Sequence, residues 1–405
     1  MAVTVSPQTS IKNTGPIRRS VADEVMFISP GEIPFLTYIS GKKLDISPGK
    51  FKVVPTLDNL PKSGGIRSAT FEWYDQDTIP VVLTSTGNLT DSATSITITP
   101  AANAQHLTKG TILLIDSEQI LVTTTGVVGG TAAISRGWAG TTAAAHTSAS
   151  NDVKIIGKAS VEAETVGIDP FLPPTAYLNY WTEVYHSYQK SMFDTAINRY
   201  GDNGTWRDTA VTAALRRALI LFERQAVYGL KVAPAATTPG QFGGLNQFTS
   251  TQTDLSAGAL TRANINTVMR TAYDAGGVEN CPDTILTNSY GKVTLSNLYG
   301  NGYVTVYRQE DVTTAGYVVD EIMTDFGQLK IVMSPWVTPG DKELWFFRKD
   351  AISVGPLKNN GVDLSFKDYD LVQTATSEAG YLYGAYTMCM QRPTSRAKLY
   401  NFVSP

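Results

Sequence analysis

The sequence predicts an α+β fold made of β-rich segments, one long amphipathic helix and a region where helices and strands alternate. Two segments, 50–82 and 159–170, alternate apolar with polar or acidic residues, as half-buried strands do. Across 205–229, apolar residues recur at three- and four-residue spacing, which predicts a helix about 36 Å long. Residues 261–375 then alternate short helical and strand patterns.

The composition indicates a protein that packs against neighbours. A length of 405 residues predicts two or three compact units, and 42% hydrophobic residues are enough to build their cores. Charged residues amount to only 17%, below the ~25% usual for soluble domains. A surface with so few charges favours broad polar contacts with neighbours, although a β-rich secreted or surface protein would share this composition.

The charge and the cysteine content argue against several classes of protein. The net charge is −3 and no basic patch stands out, which argues against extensive wrapping of nucleic acid. The two cysteines, Cys281 and Cys389, are not a disulfide framework and fit a reducing site of folding. The first residues do not predict a signal peptide. No window approaches about 20 apolar residues, so we expect no membrane association.

The N-terminal third has a discontinuous organisation. Residues 1–48 are polar and proline-rich with short apolar clusters, which predicts an extended arm that docks through scattered anchors. Strands predicted at Phe51–Val54, Thr70–Asp75 and Ser160–Val166 would form one long hairpin from 49–83 and 158–180. Between its arms, 84–157 is rich in small residues and carries short alternating strands. We expect a small all-β domain, sandwich- or barrel-like, inserted at the hairpin tip. Its strands are predicted at 95–99, 111–115, 119–123 and 153–156.

The long helix at about 205–229 has an apolar stripe that includes Leu215, Leu219 and Phe222. Thr212, Arg216 and Glu223 lie off this stripe. Asp202, Asn203 and Thr205 are candidate caps at its start, and Gly229 is a stop signal. Downstream, helices are predicted at 264–275 and 293–298, strands at 284–286, 317–319, 329–333 and 344–347, and a returning strand in the tyrosine-rich tail 364–402.

The residues show no pattern typical of catalysis. The glycine pairs lack the spacing of phosphate-binding loops, and His106, His146 and His186 lack the spacing of metal ligands. We therefore expect no catalytic, cofactor-binding or metal-binding residues. Acidic residues cluster in two predicted strands, one of which also carries an aromatic pair. Glu162 and Glu164 would lie about 7 Å apart on one strand face. A two-carboxylate glycosidase would use such a cluster, but a strand face that is solvated or contacts a partner is the preferred interpretation. The residues concerned are Glu72, Trp73, Tyr74, Asp75, Asp77, Glu162 and Glu164.

Several short stretches, taken in order, resemble one known family. They are Ser29–Leu36, Phe71–Asp75, Asn179–Val184, Pro282–Leu286 and Thr324–Val332. Their order resembles the major capsid proteins of tailed double-stranded DNA bacteriophages, which have the Hong Kong 97-type fold. Separately, Ile134–Thr141 followed by His146 resembles small β modules of phage virion proteins.

The resemblance implies a division of the chain. An N-terminal arm would span 1–48, and a hairpin called the E-loop would comprise 49–83 and 158–180, interrupted by the inserted β domain at 84–157. A peripheral (P) domain with the spine helix would comprise 181–260 and 364–405, and an axial (A) domain 261–363.

The resemblance also implies a structural function without enzymatic activity. Subunits would assemble into hexamers and pentamers of an icosahedral or prolate head, enclosing double-stranded DNA without sequence-specific binding. Scaffold, portal and decoration proteins would be partners, with assembly in the host cytoplasm and final residence in the virion. A tail or fibre component is the alternative. The expected inter-subunit contacts are Phe35, Glu72, Trp73, Asp75, Asp77, Glu162 and Glu164. We expect Glu72, Asp75 and Asp77 to pair with basic groups of an adjacent subunit.

Overall fold

The computed structural model divides the chain into two compact units, Met1–Trp73 with Tyr177–Pro405, and Tyr74–Ala176. The predicted strands 51–54 and 317–319 and the candidate helix caps fall outside the residues that it describes. Among the described residues, no helix is both long and apolar enough to cross a membrane. The residues described are 33–41, 58–60, 70–76, 82–124, 129–147, 150–162, 174–197, 206–300, 320–338, 342–359, 362–370 and 376–405.

The described elements are mixed α and β, as the sequence predicts. The helices are α1 (Pro34–Ser40), α2 (Met192–Thr195), α3 (Trp206–Tyr228), α4 (Leu245–Phe248), α5 (Arg262–Gly276) and α6 (Ser289–Gly300). The first ten strands are β1 (Thr70–Asp75), β2 (Val82–Thr86), β3 (Ser95–Thr99), β4 (Thr111–Ile115), β5 (Glu118–Val122), β6 (Thr131–Ser135), β7 (Ser150–Lys158), β8 (Thr175–Tyr180), β9 (Thr182–Ser191) and β10 (Thr251–Asp254). The others are β11 (Thr284–Thr287), β12 (Glu321–Thr324), β13 (Gly327–Met333), β14 (Glu343–Phe347), β15 (Ile352–Pro356), β16 (Lys358–Asn359), β17 (Val362–Asp363), β18 (Lys367–Asp370), β19 (Ser377–Met390) and β20 (Ala397–Tyr400).

Six strands of the unit Tyr74–Ala176 close into a barrel in the order β2-β3-β6-β5-β4-β7. Alternate residues point inward, so Ile96 and Ile98 of β3 are buried while the threonines between them face solvent. On the outer surface, the hydroxyls of Thr97 and Thr131 lie 3.0 Å apart on neighbouring strands. The two-residue periodicity of this segment therefore produces an apolar barrel interior.

A buried carboxylate fastens the loop between β6 and β7 to the barrel. Glu118 on β5 accepts two hydrogen bonds from the Arg136 guanidinium, at 2.7 and 2.6 Å, and one from each backbone N–H of Gly137 and Ala144, at 3.1 Å. His146 Nε2 lies 3.2 Å from the same carboxylate. Burial opposes the ionisation of Glu118, but these partners outweigh it and lower its pKa to about 2. The carboxylate is therefore ionised at neutral pH and holds the loop at several points.

The strand predicted for Ser160–Val166 is wrong in its described part. β7 ends at Lys158, and Glu162 lies in a turn. The partner strand β4 begins at Thr111, which pairs with Lys158, so the β4–β7 ladder does not continue beyond this pair.

Helix α3 has the predicted bounds and the predicted apolar face. Leu215, Leu219 and Phe222 are almost completely buried. The helix ends at Tyr228, and the next residue, Gly229, has no room for a side chain: a Cβ there would come within 2.4 Å of the carbonyl oxygen of Gln225.

Two polar residues expected to lie off the buried stripe of α3 are in fact buried. Thr212 is 1% exposed, and its hydroxyl donates a hydrogen bond to the carbonyl of Asp208 at 2.7 Å, which removes its need for water. Glu223 is 0% exposed, because α1 covers the side of the helix from which it projects. The expectation from the helical periodicity was therefore wrong for both residues.

Helix α3 packs against a sheet in which β19 is the central strand. The order is β15-β19-β18, and β9 also pairs with β19, over ten residues from Thr182↔Tyr386 to Ser191↔Ser377. The rings of Phe222 and Tyr386 lie 5.0 Å apart where helix and sheet meet. The tyrosine-rich tail therefore forms the returning strand that the sequence predicts.

A second sheet of the same unit contains six strands in the order β10-β20-β14-β11-β13-β12. The pairs β10–β20 and β11–β13 are parallel, and the other three are antiparallel. Helix α5 contributes Ile265 and Met269 to the core beside Ile285, Phe346 and Leu399.

The two sheets do not follow the predicted boundary at 363/364. β20 belongs to the six-stranded sheet, since its Leu399 is buried in that core. Conversely, β15 lies in the predicted A-domain segment but pairs with β19 of the other sheet. The chain thus passes between the sheets in both directions.

Helix α1 is the described part of the predicted arm. Pro34 starts it, and Gly41, in the left-handed conformation at φ 66°, ends it. Phe35 is 0% exposed and meets the ring of Phe347 edge-on at 5.5 Å. The hydroxyl of Tyr38 lies 2.9 Å from that of Thr284. The described part of the arm is therefore helical and not extended as predicted, and its apolar anchors are buried in the core of the same unit.

Asn59 fixes the C-terminal end of α1 to β15. Its side-chain amide donates to the carbonyl of Ile39 at 3.0 Å. Its backbone N–H donates to the carbonyl of Val354 at 2.9 Å, and its side-chain oxygen accepts from the Val354 N–H at 2.7 Å. One residue thus connects the arm helix with a strand of the sheet under α3.

The substitution Phe35→Ala should destabilise the chain by about 3–5 kcal/mol, because it leaves a ring-sized cavity between α1 and β14. Urea-induced unfolding measures this free energy. The matched control is Phe193→Ala, whose ring is 81% exposed and which should change stability by less than about 0.5 kcal/mol. Equal losses in the two variants would contradict the assignment of Phe35 to the core.

Acid should loosen the barrel through Glu118. Its pKa in the folded state, about 2, lies below the ordinary 4.5, so its contribution is present above pH 4.5 and lost as the pH falls towards 2. This difference corresponds to about 3 kcal/mol at neutral pH. Hydrogen exchange of β5 and β6 should accelerate over this range beyond the intrinsic rates, and Glu118→Gln should remove that dependence. The control is Glu162→Gln, because Glu162 is exposed. Identical pH profiles of the unaltered chain, Glu118→Gln and Glu162→Gln would refute the role assigned to Glu118.

Candidate assembly surfaces

The predicted contact residues of β1 divide between the two faces of the strand. Glu72 is exposed, as is Tyr74 at 59%, whereas Trp73 is 5% exposed. The ring of Trp73 stacks on Tyr177 at 6.1 Å and meets Phe248 edge-on at 5.5 Å. β1 therefore has one face packed in the core and another that carries a carboxylate and a tyrosine ring.

The expectation of inter-subunit contact is corrected for two residues, Phe35 and Trp73. The side chains of Phe35 and Trp73 are covered by residues of their own unit, so neither offers a surface to a neighbour. Glu162 is exposed in the turn after β7, outside any strand. Asp77 and Glu164 lie outside the described residues. Glu72, Asp75 and Glu162 therefore stay as candidate contacts.

Helix α3, the predicted spine helix, carries a cationic stripe that the sequence interpretation missed. Arg217, Leu221 and Arg224 are exposed at spacings of four and three residues, and Leu221 keeps 47% of its surface. No ion pair joins either arginine to a carboxylate of the described residues. Burial and the nearby Arg217 lower the pKa of His186, so the imidazole adds no charge at neutral pH. These positions could have been found in the sequence, because they recur at helical spacing on the side of the helix opposite to its apolar stripe.

Tyrosines cover the face of the β9–β19 sheet opposite to α3. The register pairs Tyr383 with Tyr185, which is 72% exposed. On β18, the strand that pairs with the other edge of β19, Tyr369 stacks on Tyr381 with ring centroids 5.4 Å apart. Burial, with the nearby Glu183 carboxylate as the next cause, raises the pKa of Tyr383, so its hydroxyl is neutral. Rings that expose both apolar area and a hydroxyl are typical of protein interfaces.

An apolar tip lies at the end of the same strand pair. Phe193, Met192 and Ile197 follow β9 and are 81%, 42% and 45% exposed. A monomeric protein rarely leaves such side chains grouped in water, so this tip favours a covered position in an assembly.

The His, Cys, Asp and Glu side chains of the described residues show no metal-binding arrangement. No group of three or more His, Cys, Asp or Glu side chains among them is placed to hold a metal ion. Cys281 and Cys389 are buried and are not joined in a disulfide. The exposed acidic, cationic and aromatic features described above can bind another protein surface by charge pairing and apolar contact.

Comparisons with solved structures give weak overall similarities. The capsid of cyanophage A-1(L) shares 13% identity, with 74% of this chain and 90% of that chain covered and a TM-score of 0.41. The capsid of Myoviridae phage XM1 shares 12% identity over 60% and 81% of the two chains, at 0.41. The SrpI encapsulin of Synechococcus elongatus PCC 7942 shares 10% identity over 57% and 76%, at 0.38. No curated protein sequence matches the chain.

The match to a family model decides the assignment. The model of the SU10 major capsid protein family matches residues 4–402, nearly the whole chain. The prediction of a major capsid protein, with a structural rather than an enzymatic function, is thereby confirmed. The chain belongs to the SU10 major capsid protein family and is a subunit of the shell that forms a virion capsid.

Proposed function

We propose that this subunit forms hexamers and pentamers which tile an icosahedral or prolate head around double-stranded DNA. Residues 261–363 would serve as the A domain around the symmetry axes, and 181–260 with 364–405 as the P domain, with the exchange of β15 and β20 described above. The barrel strands Val82–Lys158 would form a domain inserted in the E-loop. Scaffold, portal and decoration proteins would be partners, with assembly in the host cytoplasm.

The observation that supports this proposal best is opposite charge on two exposed elements. Glu72 projects from β1, whereas Arg217 and Arg224 project from α3. Neither side has an ion-pair partner among the described residues. In a chain with only 17% charged residues, unpaired exposed charges of both signs favour pairing between subunits.

Each such contact is weak alone and becomes effective by repetition. An exposed ion pair contributes at most about 1 kcal/mol. Because each subunit carries both the acidic strand and the cationic stripe, the contact is head-to-tail and a suitable rotation closes it into rings. Many repeats of a modest contact stabilise a shell without any single strong interface.

Charge reversal tests the pairing. Glu72→Lys alone, and Arg217→Glu with Arg224→Glu, should each leave folded, soluble subunits and lower the shell yield at least tenfold, because like charges would then face each other. The triple variant, with all three reversals in one chain, should recover much of the yield. Shells are counted by electron microscopy and sedimentation.

The control for these variants is Lys154→Glu, an exposed charge reversal on the barrel. It should assemble normally. Normal shell yield from Glu72→Lys, or a triple variant that assembles no better than its parents, would contradict the proposed pairing.

A further inference from the structure

One glutamate of helix α3 is buried without the cationic partner that a buried carboxylate usually has. Glu223 is 0% exposed. Its Oε1 accepts a hydrogen bond from the Ser334 hydroxyl, and its Oε2 has no hydrogen-bond partner among the described residues. Buried charges are generally paired, because an unpaired charge in an apolar setting is costly. The proposed assembly contacts do not involve this side chain.

The groups that face Glu223 are neutral donors from two other elements. The backbone N–H groups of Phe35 and Leu36, in the first turn of α1, are directed at the carboxyl. Ser334 follows β13, and the segment 334–338 contains no titratable side chain. The carboxyl thus lies where the arm helix rests on the spine helix.

Charged and titratable side chains of the surrounding elements are directed elsewhere. Tyr38 of α1 is hydrogen-bonded to a threonine of β11. Lys330 of β13 is half-exposed and paired with a glutamate of β12. On α3, Arg224 is exposed, and Arg216 lies two turns, about 10 Å, along the helix. No described cation therefore neutralises Glu223.

Burial raises the pKa of Glu223 to about 7, and the Ser334 hydroxyl and the two backbone N–H groups only partly oppose this effect. The carboxyl consequently changes its charge near neutral pH while α1 covers it. Its protonation and the docking of α1 must then influence each other.

We propose that Glu223 is a proton-controlled latch, whose neutral form holds the arm helix α1 on the spine helix and whose ionised form loosens it. The inference concerns one subunit and does not depend on how subunits pair. When α1 lifts, water reaches the carboxyl and its ionisation is no longer opposed by burial.

The direction of the effect follows from linkage. With α1 lifted, the pKa of Glu223 returns to about 4.5, below its docked value of about 7. Docking is therefore strongest below pH 4.5 and weakens as the pH rises from 4.5 to 7, with little further change above 7. The difference between the two pKa values corresponds to a decrease in the docking equilibrium constant of α1 on the order of a hundredfold.

Hydrogen exchange of residues 33–41 in the intact chain, corrected for intrinsic rates, measures how often α1 opens. The opening equilibrium should rise on the order of a hundredfold between pH 4.5 and 7. Glu223→Gln, a permanently neutral mimic of the same shape, should keep α1 protected at every pH. Ser334→Ala removes a donor that favours the ionised form, so its transition should move to higher pH.

The matched control is Glu279→Gln, whose carboxylate is 82% exposed and should behave as the unaltered chain does. Residues 262–276 of α5 serve as an internal reference in every protein. A pH-independent α1 in the unaltered chain, or an unchanged pH dependence in Glu223→Gln, would overturn the latch. If Glu223→Gln does not fold, an unshifted transition in Ser334→Ala would overturn it equally.

Discussion

The burial of helix α1 between helix α3 and strands of both sheets is the contact on which the larger unit depends. Phe35 reaches β14 of the six-stranded sheet, whereas Asn59 fastens the end of the helix to β15 of the other sheet. Glu223 of α3 faces its start. Seven residues of an otherwise polar arm thus connect three parts of the unit, and whatever loosens this helix weakens their connection.

Much of the fold could be predicted because its periodicities are strong. The apolar stripe of α3 and the alternating tail each have one physical explanation, a buried helix face and a half-buried strand. β6 was missed because its small residues Thr131–Ser135 give little apolar contrast. The exchange of β15 and β20 between sheets was missed because pairing partners distant in sequence leave no local pattern.

The candidate surfaces were predicted only in part, for a related reason. Exposure of Glu72 follows from alternation along β1, but Trp73 in the same strand is covered by Tyr177 and Phe248, which local sequence does not reveal. Burial of Glu223 depends on α1, nearly two hundred positions earlier in the chain. The tyrosine face requires the register of β9 on β19. What the sequence left out is therefore long-range packing, which also decides which side chains are available to neighbours.

The central claim is that opposite charges on β1 and α3 join adjacent subunits of the shell. Cryo-electron microscopy of assembled shells tests it most directly. The account predicts closed polyhedral particles built of pentamers and hexamers, with α3 and β1 of adjacent subunits in contact. Shells in which α3 and β1 of adjacent subunits lie apart would contradict it.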